Sequence, residues 1–479
     1  MKSKEEPSLA SLRGDPSAPA SRQNPACLRD ETTGPLSRPG RTAAAASEKP
    51  ALSLFPDALM EAIVDPANLD RAWQQVRSNR GVPGPDGITL AEFPEWLRPQ
   101  WPVIRQQLLE GTYRPAPVRR KVLTKPDGGE RLLGIPNVLD RLIQQAILQV
   151  LTPVFDPTFS ESSYGFRPGR SAHGAAQQVQ RTIRRGYRLV VDMDLSKFFD
   201  RVQHDVLMAR VARKVRDPRL LELIGRYLRA GVMVEGVLQA SDAGTPQGGP
   251  LSPLLANILL DDLDKELERR GLPFVRYADD FVVFTRSRRA AERVFSSVNR
   301  YLTQHLRLVV NTAKSRIVEA DGVEYLGFVF CGRRGTINVS AKSQSKFKHR
   351  IRELTGRSRG ISMDRRLSEL RSYLRGWMGY FGLAAQLKLF DHFDQWIRRR
   401  LRMCFWKRWR LTRTRRRELI RLGVPRRQAI RHARSRKGPW HMAKSIATGV
   451  GLTNAWLAAQ GLLSLKSLWA ELAPLRRTA

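Results

Sequence analysis

The sequence predicts an α+β domain followed by a basic, all-helical domain, and three features of the chain support this. Short strand-forming apolar runs at 118–135, 189–194 and 274–284 alternate with helical periodicity before residue 341. From about residue 343 onward every periodic stretch is helical. Residues 1–50 contain no Phe, Trp or Tyr and are half Ala, Ser, Pro and Gly, so we expect a disordered tail there.

The length and composition of the chain limit the classes of protein to which it can belong. The chain has 479 residues, and 42% of them are hydrophobic, which excludes a wholly disordered chain. Its three cysteines, Cys27, Cys331 and Cys404, lie far apart, so we expect neither a disulfide-rich secreted fold nor a zinc site of the usual spacing. No apolar run reaches about 18 residues, and the N-terminus has no secretory pattern. A soluble intracellular protein without a membrane partner is therefore expected.

The charge of the chain is large and uneven. The formal net charge is +38, of which residues 1–50 carry +2 and residues 342–479 carry +27, leaving +9 for residues 51–341. Seven of the ten tryptophans also lie in residues 342–479. Because a solvated charged tail would hold few aromatic residues, this C-terminal part is expected to fold and to present a basic face. Such an excess of positive charge predicts a polyanion partner.

The individual elements follow from local patterns. A helix with Trp73 and Val76 on its apolar stripe begins near Pro56 and ends before the turn-forming run RGVPGPDG at 80–87. A hairpin is expected at 118–135, around Pro-Asp-Gly-Gly, and a helix at 140–155. Beyond these, the patterns predict a strand at 189–194, a helix at 253–267, a hairpin at 274–284, a strand at 323–330 and a helix at 362–381.

Carboxylates stand at the ends of two of the apolar strands. One segment, 190–199, reads VVDMDLSKFF, and the other, 276–284, reads RYADDFVVF. Burying carboxylates there is costly unless a cation neutralises them. If the strands are neighbours, Asp194, Asp279 and Asp280 form a hard-oxygen site suited to Mg²⁺. Two Mg²⁺ ions about 4 Å apart would activate a primer 3′-hydroxyl and stabilise leaving pyrophosphate. An ordinary Asp-Asp turn is the alternative for an isolated pair.

These segments resemble the motifs of group II intron reverse transcriptases. The hairpin at 274–284 resembles their Tyr-x-Asp-Asp motif, and 190–199 resembles their first acidic motif. The run GTPQGGPLSPLLANI at 244–258 is similar to their Pro-Gln-Gly motif. The block at 159–173 and the run RSYLRGWMGYF at 371–381 look like two further blocks of the family. The resemblance implies a right-hand polymerase, with fingers and palm built on an antiparallel sheet, followed by an all-α basic thumb.

The resemblance covers about residues 52–410 and implies a domain organisation. The expected regions are a disordered tail at 1–50, fingers and palm at 51–341, a thumb or maturase domain at 342–410, and a basic helical extension at 411–479 that binds DNA. The HNH endonuclease domain of many relatives is not expected, because beyond residue 410 there is no Cys and the only histidines are His432 and His441.

The resemblance also implies catalytic roles for the strand-end residues. Asp194 and Asp279 match the metal-ligand aspartates of the family, and Asp280 is the second carboxylate of the pair. The carbonyl of Leu195 would complete the metal shell. Asp192 shares the strand face of Asp194, and the role we expect for it is a supporting salt bridge.

Five residues match the family positions that contact the incoming nucleotide. Lys125 and Arg131 clamp the triphosphate, and an arginine can do so in bidentate fashion. Phe199 screens the sugar, Gln247 touches the nucleotide, and Lys314 contacts phosphate or assists protonation of the leaving group. Without the family context, the simpler interpretation of Lys125 and Arg131 is a solvated pair of cations. The simpler interpretation of Phe199 is a position in the core. For Lys314, a structural role is an equal alternative.

The remaining matches concern nucleic acid. Tyr325, Leu326 and Gly327 fall where the family grips the primer end. Residues 398–417 read RRRLRMCFWKRWRLTRTRRR, whose cations would neutralise phosphates while Trp406 and Trp409 stack on bases or anchor the helix. The contacts expected there are Arg398, Arg399, Arg400, Lys407, Arg408 and Arg410. A surface that grips only primer and template is the alternative to specific intron binding.

The function implied is RNA-directed DNA polymerisation with maturase activity, which assists group II intron splicing and retrohoming with two Mg²⁺ ions as cofactor. The expected partners are intron RNA, an RNA template with a DNA primer, target DNA and dNTPs, in a bacterial cytoplasm and at the nucleoid during work on DNA. A splicing-only maturase is one alternative, disfavoured by the three retained aspartates. A domesticated host enzyme of repair or defence is another. The oligomeric state stays open.

Overall fold

The computed structural model describes residues 58–124, 130–230, 232–234, 237–239 and 248–472. The tail expected at 1–50, Lys125 and Gln247 lie outside the described residues. Within the described ranges, helices are mixed with largely antiparallel sheets, which confirms the α+β class. None of the described helices has the length and apolar character needed to cross a membrane.

The elements are numbered in chain order. The strands are β1 (Val118–Thr124), β2 (Glu130–Ile135), β3 (Leu189–Met193), β4 (Val232–Val234), β5 (Val237–Gln239), β6 (Phe274–Tyr277), β7 (Asp280–Thr285), β8 (Arg316–Glu319), β9 (Glu324–Tyr325), β10 (Phe328–Cys331) and β11 (Thr336–Val339). The helices before residue 341 are α1 (Leu59–Ile63), α2 (Pro66–Ser78), α3 (Phe93–Leu109), α4 (Val138–Phe155), α5 (Ala172–Arg184), α6 (Phe198–Arg201), α7 (His204–Val211), α8 (Pro218–Arg229), α9 (Ser252–Arg269) and α10 (Arg288–His305). Those after it are α11 (Ala341–Leu354), α12 (Met363–Phe381), α13 (Leu387–Arg408), α14 (Thr412–Arg421), α15 (Arg426–Ala433), α16 (Pro439–Met442), α17 (Ile446–Gly451), α18 (Asn454–Ala459) and α19 (Leu465–Glu471).

Both predicted hairpins are present, as β1–β2 and β6–β7. The prediction of a single strand at 323–330 is wrong. Leu326 and Gly327 adopt φ angles of 51° and 78°, so the chain reverses there and the segment becomes the two short strands β9 and β10. Two successive positive φ values are the signature of a tight hairpin turn, which an apolar run does not reveal.

The chain divides into two compact units. The first comprises the described residues up to Thr158 together with Lys197–Leu259. Its sheet has the order β2-β1-β4-β5, in which β1 and β4 run parallel and the other pairs antiparallel. Helix α4 packs against α1 and α2. Its buried Asp140 accepts hydrogen bonds from the hydroxyls of Tyr113 (2.9 Å) and Tyr227 (3.2 Å), and burial raises the pKa of Asp140 to about 6.

The second unit comprises Phe159–Ser196 and the described residues from Leu260 onward. Its main sheet has the order β6-β7-β3-β8 and is antiparallel throughout. Helix α5 packs on β6, and α10 packs on β3, β7 and β8. Val190, Val282 and Phe284 are buried in the sheet. A smaller sheet, β11-β10-β9, belongs to the same unit.

The helices from α11 to α19 share one apolar core. Its buried members run from Val339 to Leu465 and include Trp377, Phe390 and Trp406. Helix α13 packs against α16 and α19, and α12 packs against α19. The core therefore joins residues on both sides of position 410, where the sequence suggested a domain boundary.

Replacing Leu465 by alanine should destabilise this helical core. The side chain is fully buried in it, so its loss removes apolar contacts and leaves a cavity that costs about 2–5 kcal/mol. Urea unfolding of the full chain, followed by tryptophan fluorescence, measures the effect. Ile446→Ala, at a position that is 68% exposed, is the control and should change the unfolding free energy by less than about 0.5 kcal/mol. Equal effects of the two changes would contradict the shared core.

Candidate active site

The candidate catalytic residues lie at one end of the β6-β7-β3-β8 sheet. Tyr277 pairs with Asp280, which leaves Ala278 and Asp279 as a two-residue turn between β6 and β7. Ala278 has a φ of 58°, a conformation that tight hairpin turns use. Asp279 is therefore at the tip of the hairpin, and Asp280 is the first residue of β7.

A buried ion pair fixes the backbone of this turn. Arg276 of β6 donates to the carboxylate of Asp264 through Nε at 2.8 Å and through Nη2 at 2.5 Å, and both side chains are fully buried. The Nη1 of Arg276 donates to the carbonyl of Ala278 at 3.0 Å. The guanidinium thus holds the turn while Asp264 balances its charge. The sequence signal for this support is a lone arginine inside an apolar strand.

A second support comes from the segment that precedes α5. The N–H of Arg276 donates to the carbonyl of Ser162 at 2.9 Å, and the N–H of Tyr164 donates to the carbonyl of Arg276 at 2.8 Å. Gly165 follows directly, and a Cβ there would lie 2.3 Å from the backbone nitrogen of Ala278. Only glycine permits this approach, so the motif block at 159–173 buttresses the catalytic hairpin.

Asp194 follows β3 and is held by residues near β8. Its N–H donates to Oγ of Ser315 at 3.0 Å, and its Oδ2 accepts from Nδ2 of Asn311 at 3.1 Å. The Nζ of Lys314 lies 3.9 Å from the same carboxylate oxygen. The structure therefore brings Lys314 to Asp194. Asn311 orients the carboxylate and Ser315 holds the backbone of Asp194, and neither residue stands out from the sequence.

The backbone pairing next to Asp194 determines the direction of the Leu195 carbonyl. Leu195 lies opposite Val310 in an isolated antiparallel bridge. The hydrogen bonds of that bridge involve the N–H of Ser196 and the carbonyl of Asp194, each at 2.8 Å. The carbonyl of Leu195 takes no part in this pairing and points to the other side of the strand. It therefore remains a candidate metal ligand.

Asp192 has the salt bridge expected from the sequence. Its Oδ2 is 3.3 Å from Nε of Arg316, on the neighbouring strand β8. Burial nevertheless raises the pKa of Asp192, and the arginine only partly opposes this. Asp192 thus adds negative charge beside Asp194 without lying at the strand end.

The carboxylates at this sheet end repel one another. The pairing of β3 with β7, continued by one residue, places Asp194 opposite Asp280. Crowding by protein atoms raises the pKa of Asp280 to about 7, with further contributions from the charges of Asp192, Asp279 and Asp194, although Asp280 keeps access to solvent. A divalent cation would relieve this repulsion.

The donor set fits an open site for a hard cation. Among the described residues, no three His, Cys, Asp or Glu side chains converge closely enough to enclose a metal ion. Mg²⁺ does not require such a cage, because it is usually bound by one or two carboxylates and keeps waters and substrate phosphates as its other ligands. Asp194, Asp279 and Asp280, with the carbonyl of Leu195, supply oxygen atoms of this kind.

The three residues expected to grip the primer lie next to the same hairpin. Tyr325 is buried, and its hydroxyl donates to the carbonyl of Asp280 at 3.1 Å. Burial raises the pKa of Tyr325 well above its usual value, so the hydroxyl stays a donor. Leu326 and Gly327 form the β9–β10 turn, and the hydroxyl of Tyr380 donates to the Leu326 carbonyl at 2.9 Å. Tyr325 therefore supports the hairpin from within the fold.

Two residues expected to contact the nucleotide belong to the first unit. Arg131 lies in β2, opposite Leu123 of β1. Phe199 lies in the short helix α6, is half-buried, and meets the ring of Phe198 edge-on at 5.1 Å between centroids. Phe198 is the core residue of this pair, since it is almost fully buried.

The glycines after Gln247 lie in a narrow slot of the first unit. A Cβ on Gly248, whose φ is 128°, would be 2.3 Å from the carbonyl oxygen of Gly134 in β2. A Cβ on Gly249 would be 2.3 Å from Oε1 of Gln144 in α4. The close approach explains why the Pro-Gln-Gly motif needs both glycines.

The basic helix α13 uses some of its cations within the fold. Nε of Arg400 donates to Oγ1 of Thr355 at 2.5 Å, and the guanidinium of Arg399 lies 3.7 Å above the ring of Trp440. Trp406 and Trp409 are buried, so they anchor the helix and do not offer their faces to bases. Arg398 is half-buried. The exposed cations of the expected set are Lys407, Arg408 and Arg410.

Two family models match the chain. One, described as reverse transcriptase (RNA-dependent DNA polymerase), matches residues 123–330, which contain all the strand-end aspartates. The other, described as the maturase-specific domain of group II introns, matches residues 344–423, which contain α12 and α13.

Curated relatives agree with these matches. Protein YkfC of Escherichia coli is 33% identical over 317 residues, which cover 58% of this chain and 82% of that protein. The group II intron-encoded protein LtrA of Lactococcus lactis is 37% identical over 206 residues, which cover 43% of this chain and only 34% of LtrA. Among solved structures, a partial Cas6-RT-Cas1–Cas2 complex matches 51% of this chain and 42% of its own chain at 30% identity, with a TM-score of 0.34.

Proposed function

Because the chain belongs to the group II intron reverse transcriptases, in which an RNA-directed DNA polymerase is joined to a maturase domain, we propose that its strand-end carboxylates carry DNA synthesis on an RNA template by two-Mg²⁺ nucleotidyl transfer. The observation that carries the proposal is the grouping of Asp194, Asp279 and Asp280 at one sheet end. Burial, together with the charges of Asp192, Asp279 and Asp194, raises the pKa of Asp280 to about 7, so the grouped carboxylates call for a cation. RNA and DNA are the macromolecular partners of such an enzyme.

The parts of a right-hand polymerase are assigned on this basis. The sheet β6-β7-β3-β8, which carries the aspartates, is the palm. The β1–β2 hairpin belongs to the fingers, and helices α11–α13 form the thumb or maturase domain. The segment after residue 410 is the DNA-binding extension, although it packs into the same core as the thumb.

The residues of the palm position the reacting groups. Asp194 and Asp279 would hold two Mg²⁺ ions, with Asp280 and the carbonyl of Leu195 as further oxygen donors. Such ions would supply activation of the primer 3′-hydroxyl and charge neutralisation at the leaving pyrophosphate. Asn311 keeps the Asp194 carboxylate aimed at the site through its 3.1 Å hydrogen bond. Lys314, 3.9 Å from Asp194, is placed to contact a phosphate of the incoming dNTP.

The nucleotide pocket is proposed to include Lys125, Arg131 and Gln247 as phosphate and nucleotide contacts and Phe199 as the sugar screen. An aromatic ring at the 2′ position leaves room for hydrogen but not for a hydroxyl. Its half-buried contact with Phe198 would keep the ring in place.

Replacing Phe199 by valine should therefore admit ribonucleotides. Removing the ring opens space for the 2′-hydroxyl, and the preference for dNTP over NTP, measured as the ratio of kcat/KM values, should fall at least about tenfold. Phe199→Tyr, which keeps the ring, is the matched control and should retain the preference. An unchanged ratio in the valine variant would reject Phe199 as the sugar screen.

Maturase function is proposed for the helical region. The exposed cations Lys407, Arg408 and Arg410 are available to phosphates of intron RNA, whereas Arg399 and Arg400 already have partners in the fold. Binding through phosphates releases counterions, so affinity for intron RNA should fall steeply with salt.

The proposal is tested by primer extension. The purified full chain is incubated with an RNA template, a DNA primer, dNTPs and Mg²⁺, and then with excess EDTA. Extension with Mg²⁺ that stops on chelation and resumes on addition of Mg²⁺ is the expected result. Extension that persists in EDTA would refute the metal mechanism. RNA binding without any extension would instead favour a splicing-only maturase, and sequencing of co-purifying RNA would identify the bound intron.

A further inference from the structure

A large aromatic side chain stands in solvent beside the catalytic hairpin. Phe166 is 61% exposed, and no other phenylalanine in the described ranges is as exposed. Its ring centroid lies 6.2 Å from that of Tyr277, the residue before the Ala278–Asp279 turn, at an interplanar angle of 43°. Most of the Phe166 ring therefore contributes nothing to the core of the unit.

The backbone of Phe166 is held in an unfavourable conformation. Its φ is 57°, in the left-handed region that bulky residues avoid. On one side, Gly165 is pressed against the backbone of Ala278. On the other side, the buried Arg167 donates to the carbonyls of Ser160 and Ser163 at 2.5 and 2.9 Å. These fixed neighbours impose the conformation, and such costs persist mainly at functional sites.

We propose that Phe166, together with Tyr277, is a stacking platform for the nucleobase at the 3′ end of the primer. This inference rests on the proposed polymerase function, because the platform borders the hairpin whose tip residue, Asp279, would hold a metal ion at the primer 3′-hydroxyl. An exposed aromatic face accepts any base, so it suits a position whose sequence changes at every addition. Its rigid backbone means that little freedom is lost on binding.

Equilibrium binding tests the platform without requiring catalysis. A fluorescently labelled DNA primer annealed to an RNA template is titrated with the full chain, without dNTP, and Kd is read from anisotropy. Phe166→Ala should raise Kd about 5- to 150-fold, the range expected for loss of one base–aromatic stack. Phe166→Trp and Phe166→Tyr should stay within about threefold of the unmodified chain. Phe166→Leu, which keeps apolar area but has no aromatic face, should resemble the alanine variant.

Two controls separate stacking from indirect effects. Val103→Ala removes an equally exposed side chain (60%) and should leave Kd unchanged. Phe166→Gly removes the side chain and relieves the backbone strain, so it should raise Tm while showing the same loss of affinity as Phe166→Ala. A leucine variant with full affinity would overturn the proposal, since Phe166 would then supply only apolar contact.

The position of the stacked base is tested by removing that base. With an abasic site at the primer 3′ terminus, the unmodified chain should lose affinity, whereas Phe166→Ala should lose little more, so the two changes are non-additive. Additive losses would overturn the assignment to the terminal base. If the chain extends primers and Phe166→Ala binds normally, the platform fails while the polymerase function stands. If neither duplex binding nor extension is seen, the polymerase function fails and the platform falls with it.

Discussion

Asp279→Ala is expected to reduce the primer-extension rate by about 10²- to 10³-fold or more while leaving RNA binding intact. The side chain is at the hairpin tip, and its charge adds to the burial and the neighbouring carboxylates that together raise the pKa of Asp280 to about 7. Metal ions stabilise charge in the transition state by several kcal/mol, and each step of about 1.4 kcal/mol is a factor of ten in rate. Initial rates with saturating primer–template and dNTP measure the loss.

The matched control is Asp364→Ala, which removes an exposed carboxylate from the first turn of α12. It should extend primers at the rate of the unmodified chain. Filter binding of intron RNA should be the same for both variants, because the proposed function assigns the aspartates to the reacting phosphates and the basic helices to RNA binding. Extension that survives in Asp279→Ala would remove this residue from the metal site.

Asp264→Asn should destabilise the β6-β7-β3-β8 sheet by about 3–5 kcal/mol. The change leaves the buried guanidinium of Arg276 without the carboxylate that compensates it at 2.5 and 2.8 Å. Breaking one half of a buried ion pair is costly because the remaining charge stays desolvated. Urea unfolding at pH 7 measures the effect.

A double variant separates the two roles of the ion pair. Asp264→Leu combined with Arg276→Met removes both charges and should recover most of the stability lost in Asp264→Asn. It cannot restore the hydrogen bond from Nη1 of Arg276 to the carbonyl of Ala278, so primer extension should stay impaired. A stable double variant with full activity would show that the turn does not depend on Arg276. An unstable double variant would show that the Arg276–Asp264 pair stabilises the sheet by more than the mutual compensation of two buried charges.

Much of the β6-β7-β3-β8 sheet can be predicted from the sequence, because its determinants are local. The aspartates stand beside apolar strands, and the period of two in 189–194 and 274–284 fixes which residues share a face. The pairing of β3 with β7 then follows once the family resemblance makes the strands neighbours. The turn at Leu326–Gly327 was missed because its determinant is backbone φ, which the apolar pattern at 323–330 conceals.

The supports of the site were not accessible, because they depend on contacts between distant residues. Arg276 finds Asp264 on another element, and Asn311 reaches Asp194 across 117 positions of sequence. Contacts between distant residues also change the interpretation of the basic helix α13. A run of cations reads as one nucleic-acid surface, yet the partners of Arg400 and Arg399, at 355 and 440, withdraw these two from it.

The shared core of the C-terminal helices has a consequence for synthesis on the ribosome. Helices α12 and α13 are complete once residue 408 has been made, but their apolar faces are fully covered only after residues as late as Leu465 have been made. At about 5–20 residues per second, the chain takes roughly 3–11 s to cover that interval. During that interval, the arginine-rich and partly apolar surface of α12 and α13 is exposed near the messenger RNA that is being translated. An RNA bound at that moment would meet the protein before its last helices close, so folding and capture of RNA become competing events in time.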